Sequence, residues 1–365
     1  MSGRVLIMAG GTGGHVFPAL AVAEALRARD IDVVWMGTRL GLEARVVPEA
    51  GIPMEWIKVA GLRGKGFKTR LAAPLNVALA ISQALRVMLR VRPAVVLGMG
   101  GYAAGPGGVA AWLTRRPLVI HEQNAVAGAT NRILAQLARR VLVAFPGAFP
   151  DGVATTVVGN PVRTAIANLP PPSEELAQHS GRARLLVVGG SQGALALNEA
   201  VPEALARLPE PLRPEVRHQA GHTTLDNARA AYRRVGVKAD IFEFIDDMAE
   251  AYGWADLAIC RAGALTVSEL AAAGLPSVLV PLPTAVDNHQ TLNGGYLVAA
   301  GGAVLVPERQ LAPERLARVL AGLLGDRSRL LDMARRARDA ARPEALAAIE
   351  RVLLDVGKLR TEERA

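Results

Sequence analysis

The 365-residue chain contains one cysteine, Cys260, which excludes a disulfide framework and a cysteine-built zinc site. Aromatic residues amount to 4%, too few for a platform on which nucleic-acid bases stack. Acidic residues are absent between Glu55 and Glu122, where ten basic ones stand. Charge of either sign is absent from Ala94 to Thr114, a run long enough to cross a bilayer. Gly98, Gly100, Gly101, Gly105, Pro106, Gly107 and Gly108 would break a lipid-exposed helix there several times over. The run therefore reads as a buried strand, a glycine loop and a helix. A secretory signal is missing too: Arg4-Val5-Leu6-Ile7 leads straight into glycines, so the cytoplasm is the expected compartment.

What is present is a large apolar chain with an uneven charge. Hydrophobic residues make up 51%, enough for a globular protein of two domains. Residues 1–162 hold 18 Lys and Arg against 8 Asp and Glu, a net +10, while residues 163–365 come to −1. A one-signed field on one half calls for an anionic partner: a phospholipid surface, a polyphosphate or nucleic acid.

The halves repeat one plan. Val5-Leu6-Ile7-Met8 is a strand, Gly10-Gly11-Thr12-Gly13-Gly14-His15 a glycine loop, and Pro18 to Arg29 a helix with proline in its first turn. Strands at 33–36, 94–97, 118–120 and 141–143 continue the alternation. The pattern breaks at Gly159-Asn160-Pro161-Val162-Arg163, followed by Leu169-Pro170-Pro171-Pro172, and then restarts. Leu185-Leu186-Val187-Val188 runs into Gly189-Gly190-Ser191-Gln192-Gly193 and a helix from Ala194, with strands near Val216 and Ile241 and at 257–259, 278–280 and 304–306. This predicts an α/β protein of two Rossmann-like domains, 1–162 and 163–342, facing a ligand cleft. A last helix, within 343–360, is a candidate to cross back to the first domain.

Both glycine loops open helices, whose first N–H groups and dipoles attract phosphate. They are not dinucleotide fingerprints. Val16 stands where the last glycine of G-x-G-x-x-G belongs, and Gly37-Thr38-Arg39 lacks the acid that holds an NAD ribose. Gly64-Lys65-Gly66 is no P-loop. His15 lies at a helix start, where a positive helix end favours a neutral imidazole, suited to a general base or merely to satisfying the turn. From Ala262 through Pro283 the only charged residue is Glu269. A lone buried carboxylate needs a partner, either the two hydroxyls of a ribose or an arginine. Arg163, just past the break, fits a diphosphate or a linker salt bridge. Asp287-Asn288-His289-Gln290, with Asn293 a turn later, offers donors and acceptors for sugar hydroxyls or an ordinary polar helix start. His121-Glu122-Gln123-Asn124 follows a strand at its carboxyl end, where ligands bind in such sheets. Asp30-Ile31-Asp32 has the form of a metal-binding Asp-x-Asp but precedes a strand, so it reads as a solvated turn and no metal site is expected. Between Lys65 and Arg92, basic ends (Lys65, Lys68, Arg70; Arg86, Arg90, Arg92) flank an apolar middle from Leu71 to Leu89. Trp112-Leu113 stands beside Arg115-Arg116. That composition fits a surface dipping into anionic lipid, or a core helix with basic ends.

Taken together, GGTGGH, GMGGY at Gly98–Tyr102, HEQN, GNPVR, GGSQGA, RAGALTVSEL at Arg261–Leu270 and the DNHQ–N cluster resemble the MurG family over nearly the whole chain. That family transfers N-acetylglucosamine from its UDP form to a lipid-linked peptidoglycan precursor. The resemblance implies a glycosyltransferase-B fold, with the acceptor in the first domain and the donor mostly in the second. It implies that Glu269 takes the ribose hydroxyls, that Ala264, Leu265, Thr266, Val267, Ser268 and Ser191 lie along the diphosphate, and that the backbone of Ile245 reads the uracil. Gln290 and Asn124 would hold the sugar, Arg163 the phosphate side, and Thr12, Gly13 and Gly14 the meeting point of donor and acceptor. His15 would be the base of an inverting displacement. The implied partners are UDP-N-acetylglucosamine, undecaprenyl-pyrophosphoryl-muramyl-pentapeptide and anionic phospholipid, at the cytoplasmic face of the bacterial inner membrane. No nucleic acid and no cofactor are implied, divalent ions at most stimulating the reaction. The rivals are a transferase acting on diacylglycerol, a UDP-sugar epimerase with Glu122 as its spare carboxylate, and a non-catalytic nucleotide-sugar sensor. A nucleic-acid binder would explain the charge but not the glycine loops.

Overall fold

The computed structural model describes residues 3–59, 67–172, 181–190 and 192–359, with the backbone alone for 67–73 and Val286. It divides into two compact units, residues 1–161 with 344–365, and residues 162–343.

In the first unit the order is β1 Val5–Met8, α1 Gly13–Arg27, β2 Val33–Gly37, α2 Glu43–Glu49, β3 Met54–Trp56, α3 Phe67–Val91, β4 Val95–Gly98, α4 Ala104–Leu113, β5 Leu118–Glu122, α5 Ala129–Leu134, β6 Arg140–Val143 and β7 Thr156–Val157. The described strands form one parallel sheet in the order β3-β2-β1-β4-β5-β6-β7, with Val5 beside Val33 on one side and Val95 on the other. Strand alternation decides the layers. Val5, Ile7, Val95 and Leu97 point to one face, packed under α1, while Leu6, Met8 and Val96 point to the other, where Ala84, Val87 and Met88 of α3 cover them. Each such fully buried aliphatic side chain contributes roughly 1.5–3 kcal/mol.

The second unit runs α6 Thr164–Ala167, β8 Arg184–Val188, α7 Leu195–Ala206, β9 Glu215–Gln219, α8 Leu225–Val235, β10 Asp240–Phe242, α9 Met248–Trp254, β11 Leu257–Cys260, α10 Ala264–Ala273, β12 Ser277–Leu279, α11 His289–Ala299, β13 Ala303–Leu305, α12 Pro313–Leu324 and α13 Arg327–Asp339. Its sheet is parallel in the order β10-β9-β8-β11-β12-β13. Leu185, Val187, Leu257 and Ile259 form its core with Leu197 and Val201 of α7 and Leu316 and Leu320 of α12. The last helix, α14 Ala345–Gly357, rejoins the first unit. Its Ile349, Leu353 and Val356 are buried in the same core layer as α1.

Three expectations change. The first helix begins at Gly13 rather than Pro18, so His15 sits in its first turn and Pro18 inside it. Gly13 and Gly14 are poor helix formers and hide the start. His121 and Glu122 end β5 instead of following it, at 0% and 2% exposure. The edge strands β3 and β7 were not expected at all. Among the described residues no helix is long and apolar enough to cross a membrane.

Candidate functional site

In the first unit, β1, β4 and β5 lie side by side, so the loops at their carboxyl ends are neighbours. Thr12 caps α1, its carbonyl accepting the N–H groups of His15 and Val16 at 3.1 Å each. The loop after β4 presses against this turn. Gly101 has φ +83°, and a Cβ there would lie 2.2 Å from the Gly10 carbonyl oxygen, so only glycine fits. Gly100 leaves room for the His15 ring, 2.9 Å from where its Cβ would be.

His15 Nδ1 is 3.0 Å from Gln123 Oε1, and Gln123 Nε2 donates to the Met99 carbonyl at 3.0 Å. The second bond fixes the amide orientation, so Oε1 accepts from His15 and the proton sits on Nδ1. Nε2 then carries the lone pair, the arrangement a base requires. Gln123 is in turn held from behind, its carbonyl accepting from Asn160 Nδ2 at 3.1 Å.

His121 is buried beside it. Its Nε2 donates to the Gly159 carbonyl at 2.8 Å, while Nδ1 has no partner. Burial pushes its pKa down to about 4, against the pull of the Gly159 bond and the Glu122 charge, so the ring is neutral. Glu122 accepts from the Asn124 N–H (3.0 Å) and Nδ2 (3.2 Å), the Gly128 N–H (3.2 Å) and Asn131 Nδ2 (2.8 Å). A carboxylate so occupied organises the loop. It is not the spare acid–base group that an epimerase reading needs, and the Asn124 amide is tied to it.

A residue that sequence reasoning missed lies beneath the first loop. Glu43, 0% exposed, accepts from the Gly11 N–H at 2.9 Å and from the N–H and Oγ1 of Thr38 at 3.1 and 2.8 Å. Gly10, Gly37 and Gly41 make room for its carboxylate. The 32-residue separation of Glu43 from Gly11 gives no local signal.

In the second unit the structure joins two predicted residues. Arg163 donates through Nε and Nη2 to Glu269 Oε1, at 3.3 and 3.1 Å. The arginine partner weighed for Glu269 and the salt bridge weighed for Arg163 are therefore one contact. Tyr252, not foreseen, donates its hydroxyl to Glu269 Oε2 at 3.1 Å. Burial raises the Glu269 pKa, opposed by Arg163 and by the Tyr252 bond. Burial and the Glu269 charge raise that of Tyr252, so the phenol remains a donor. The same two causes push the Cys260 thiol up to about 12.

Glu269 lies on α10, whose N-cap is Gly263. An α-helix leaves its first N–H groups without intrahelical partners, which makes this end an anion site in principle. Val267 does not offer its N–H, which donates to the Gly263 carbonyl at 2.9 Å, and its side chain is buried. Ser268 Oγ donates back to the Ala264 carbonyl at 3.0 Å. Ala264 is buried, while Leu265 and Thr266 are half-buried at the helix start. The Ile245 N–H donates to Gln219 Oε1 at 3.0 Å. Gln290 Oε1 accepts from the Leu282 N–H at 2.9 Å. Asn293 is fully buried and donates to the Ala262 carbonyl at 3.3 Å, which makes it scaffold rather than a sugar contact. Before α11, Asp287 and Asn288 both take left-handed backbone, φ 52° and 53°. Ser191 lies outside the described residues. Nearby, Gly193 has φ +81°, and a Cβ would reach within 2.0 Å of Thr224 Oγ1.

Asp30 and Asp32 are exposed at the amino end of β2, and Asp32 pairs with Arg4 at 3.5 Å, so the turn is solvated as expected. Helix α3 has both a buried and an exposed apolar face. Ala80, Ala84, Val87, Met88 and Val91 face the core, while Leu75 (66%), Leu79 (50%) and Leu89 (65%) are exposed. Trp112 (54%) and Leu113 are exposed on α4, which packs against α3. Arg86 is exposed, whereas Arg90 is paired with Glu55. Lys65 lies outside the described residues, as do the side chains of Lys68 and Arg70.

Two parallel Rossmann-like sheets, each with a glycine loop after its central strand, define the glycosyltransferase-B class of fold. The models of the glycosyltransferase family 28 N-terminal and C-terminal domains match residues 5–143 and 184–350. A relative from Alkalilimnicola ehrlichii is 61% identical over 97% of this chain and 99% of its own length. One from Nitrosococcus oceani is 56% identical over 98% and 99%. Both are named UDP-N-acetylglucosamine–N-acetylmuramyl-(pentapeptide) pyrophosphoryl-undecaprenol N-acetylglucosamine transferase. The crystal structure of Acinetobacter baumannii MurG is 40% identical, covers 97% of this chain and 99% of its own, and superposes with a TM-score of 0.87. The chain belongs to the MurG family of glycosyltransferases. A UDP-GlcNAc 2-epimerase from Neisseria meningitidis, 15% identical with a TM-score of 0.66, shares the fold alone.

Proposed function

We propose that this protein moves N-acetylglucosamine from UDP-N-acetylglucosamine to the 4-hydroxyl of undecaprenyl-pyrophosphoryl-muramyl-pentapeptide, inverting the anomeric carbon. The observation that carries this reading is the His15–Gln123–Met99 chain, which leaves His15 Nε2 as a proton acceptor on the first glycine loop. The acceptor hydroxyl gives its proton to Nε2 and attacks the anomeric carbon. The bond to the diphosphate breaks, and its electron pair leaves with UDP. The α10 N-terminus, Arg163 and the Gly189–Gly193 loop with Ser191 stabilise the leaving charge. Glu269 holds the ribose, and the backbone of Ile245 the uracil. Gln290 and Asn124 hold the sugar, with Thr12, Gly13 and Gly14 where donor and acceptor meet. No resident metal is required, so EDTA leaves a basal rate.

The exposed apolar residues of α3 and α4, with the basic excess of the first unit, support peripheral attachment to anionic phospholipid at the cytoplasmic face of the inner membrane. The names borne by the relatives support the same substrates. Radiolabelled UDP-N-acetylglucosamine, offered with lipid-linked muramyl-pentapeptide, diacylglycerol and no acceptor, tests the whole reading. Label is expected in the lipid-linked disaccharide alone. Label in diacylglycerol, or conversion of the free nucleotide sugar without transfer, overturns it.

A further inference from the structure

The Glu269 carboxylate has two oxygens with different partners. Oε2 receives the hydroxyl of Tyr252, which is 4% exposed and comes from α9. Oε1 receives both bonds from Arg163, whose side chain is 53% exposed and precedes the short helix α6. One partner is locked in place by packing; the other is half in water and reaches inward. A cavity of about 350 Å³ opens beside Arg163, lined also by Ile166, Asp246, Asp247 and Met248, next to Ile245.

A ribose brings two vicinal hydroxyl donors. Glu269 Oε1 cannot serve both of them and a doubly donating guanidinium at full strength, because its lone pairs are already taken. The neighbouring diphosphate is in turn the preferred partner for a guanidinium, which matches phosphate oxygens two at a time. We propose that Tyr252 is a positioning residue for the donor ribose, fixing Glu269 through one oxygen. Arg163 holds the other oxygen until the ribose displaces it and the guanidinium passes to the phosphate. The arginine thus keeps a buried carboxylate paired before the nucleotide binds, because leaving it unpartnered is costly. This inference rests on the assignment of Glu269 to the ribose.

The two roles predict opposite signs for two ligands. Uridine has the ribose without the phosphates, so it must displace Arg163 and gains nothing in return. Arg163→Ala is expected to tighten uridine by about three- to tenfold and to weaken UDP by about tenfold or more. Tyr252→Phe keeps the ring and removes the hydroxyl. It is expected to weaken UDP about fivefold, and to leave 2′,3′-dideoxy-UDP unaffected, a difference that mere packing damage would not produce. Calorimetry on the full chain, with Glu269→Ala alongside, separates the failures. If Glu269→Ala leaves UDP binding unchanged, the ribose assignment itself is wrong. If it weakens UDP while Arg163→Ala weakens uridine as well, the exchange is wrong. Equal losses of UDP and its dideoxy form in Tyr252→Phe remove the positioning role.

Discussion

His15 depends on a residue 108 positions along the chain. Without Gln123 the imidazole is free to flip or to adopt the other tautomer, in which Nε2 carries hydrogen and cannot accept a proton. His15→Ala should lower kcat by about 10²–10⁴, and Gln123→Ala by about tenfold, both with UDP affinity unchanged. Single-turnover kinetics with saturating donor measure this, and a parent-like rate in His15→Ala would remove the base. His121 and His218 pose a different test. Burial holds them to about 4 and about 3, so both are neutral when folded. His218 bridges Tyr232 and Asn198 Oδ1 at 3.0 Å each. Once unfolded, these rings take up protons near the ordinary value of 6.5. The unfolded state therefore binds more protons as pH falls below 6.5, and stability drops down to the folded values. Each ring costs at most about 1.4 kcal/mol per pH unit in that window. The raised pKa of Glu269 works the opposite way at the acid end. Urea titrations at pH 7.5 and 5 should show the loss, and His218→Gln should reduce it.

At the level of elements, the alternation of apolar strands with glycine loops was readable because buried parallel strands are continuous runs of Val, Leu and Ile. β3 and β7 escaped for the converse reason. Met54–Trp56 is only half-buried, and Thr156–Val157 is an exposed edge of two residues. The site was legible where chemistry is local: a histidine at a helix start, or a lone carboxylate in an apolar stretch. It was illegible where partners come from distant elements, as with Gln123, Tyr252 and Glu43. The last of these ties α2 to the loop that opens α1. Glu43→Gln preserves shape but turns an amide N–H toward the Gly11 N–H, leaving a buried donor unmet at about 1–3 kcal/mol. We expect a fall in kcat of about tenfold or more, little change in UDP binding, and a lower melting temperature. Parent-like kcat would show that the loop keeps its shape without this carboxylate.

At the scale of the whole molecule, the charge asymmetry and the exposed leucines of α3 belong to the same unit. Each basic side chain near an anionic surface is worth on the order of 1 kcal/mol, and salt screens it, whereas inserted apolar side chains are insensitive to salt. Vesicle flotation should show binding to anionic liposomes that weakens in salt. Arg86→Glu with Arg115→Glu should remove the salt-sensitive part, and Leu75→Ser with Leu79→Ser the remainder. Equal binding to neutral vesicles would assign the basic face to another partner. The chain path sets a further condition, because the second unit is contiguous while the first is closed only by α14. During synthesis the N-terminal sheet emerges first yet waits, with the surface meant for Ile349, Leu353 and Val356 uncovered, until the final helix leaves the ribosome. The nascent first unit thus carries a sticky face for about ten to forty seconds at ordinary elongation rates. A chain stopped at Pro343 should therefore keep a folded second unit, resistant to protease, on an aggregating first one. Adding a separate 344–365 peptide during refolding should rescue it, and continued aggregation would show that α14 is not what closes the first unit.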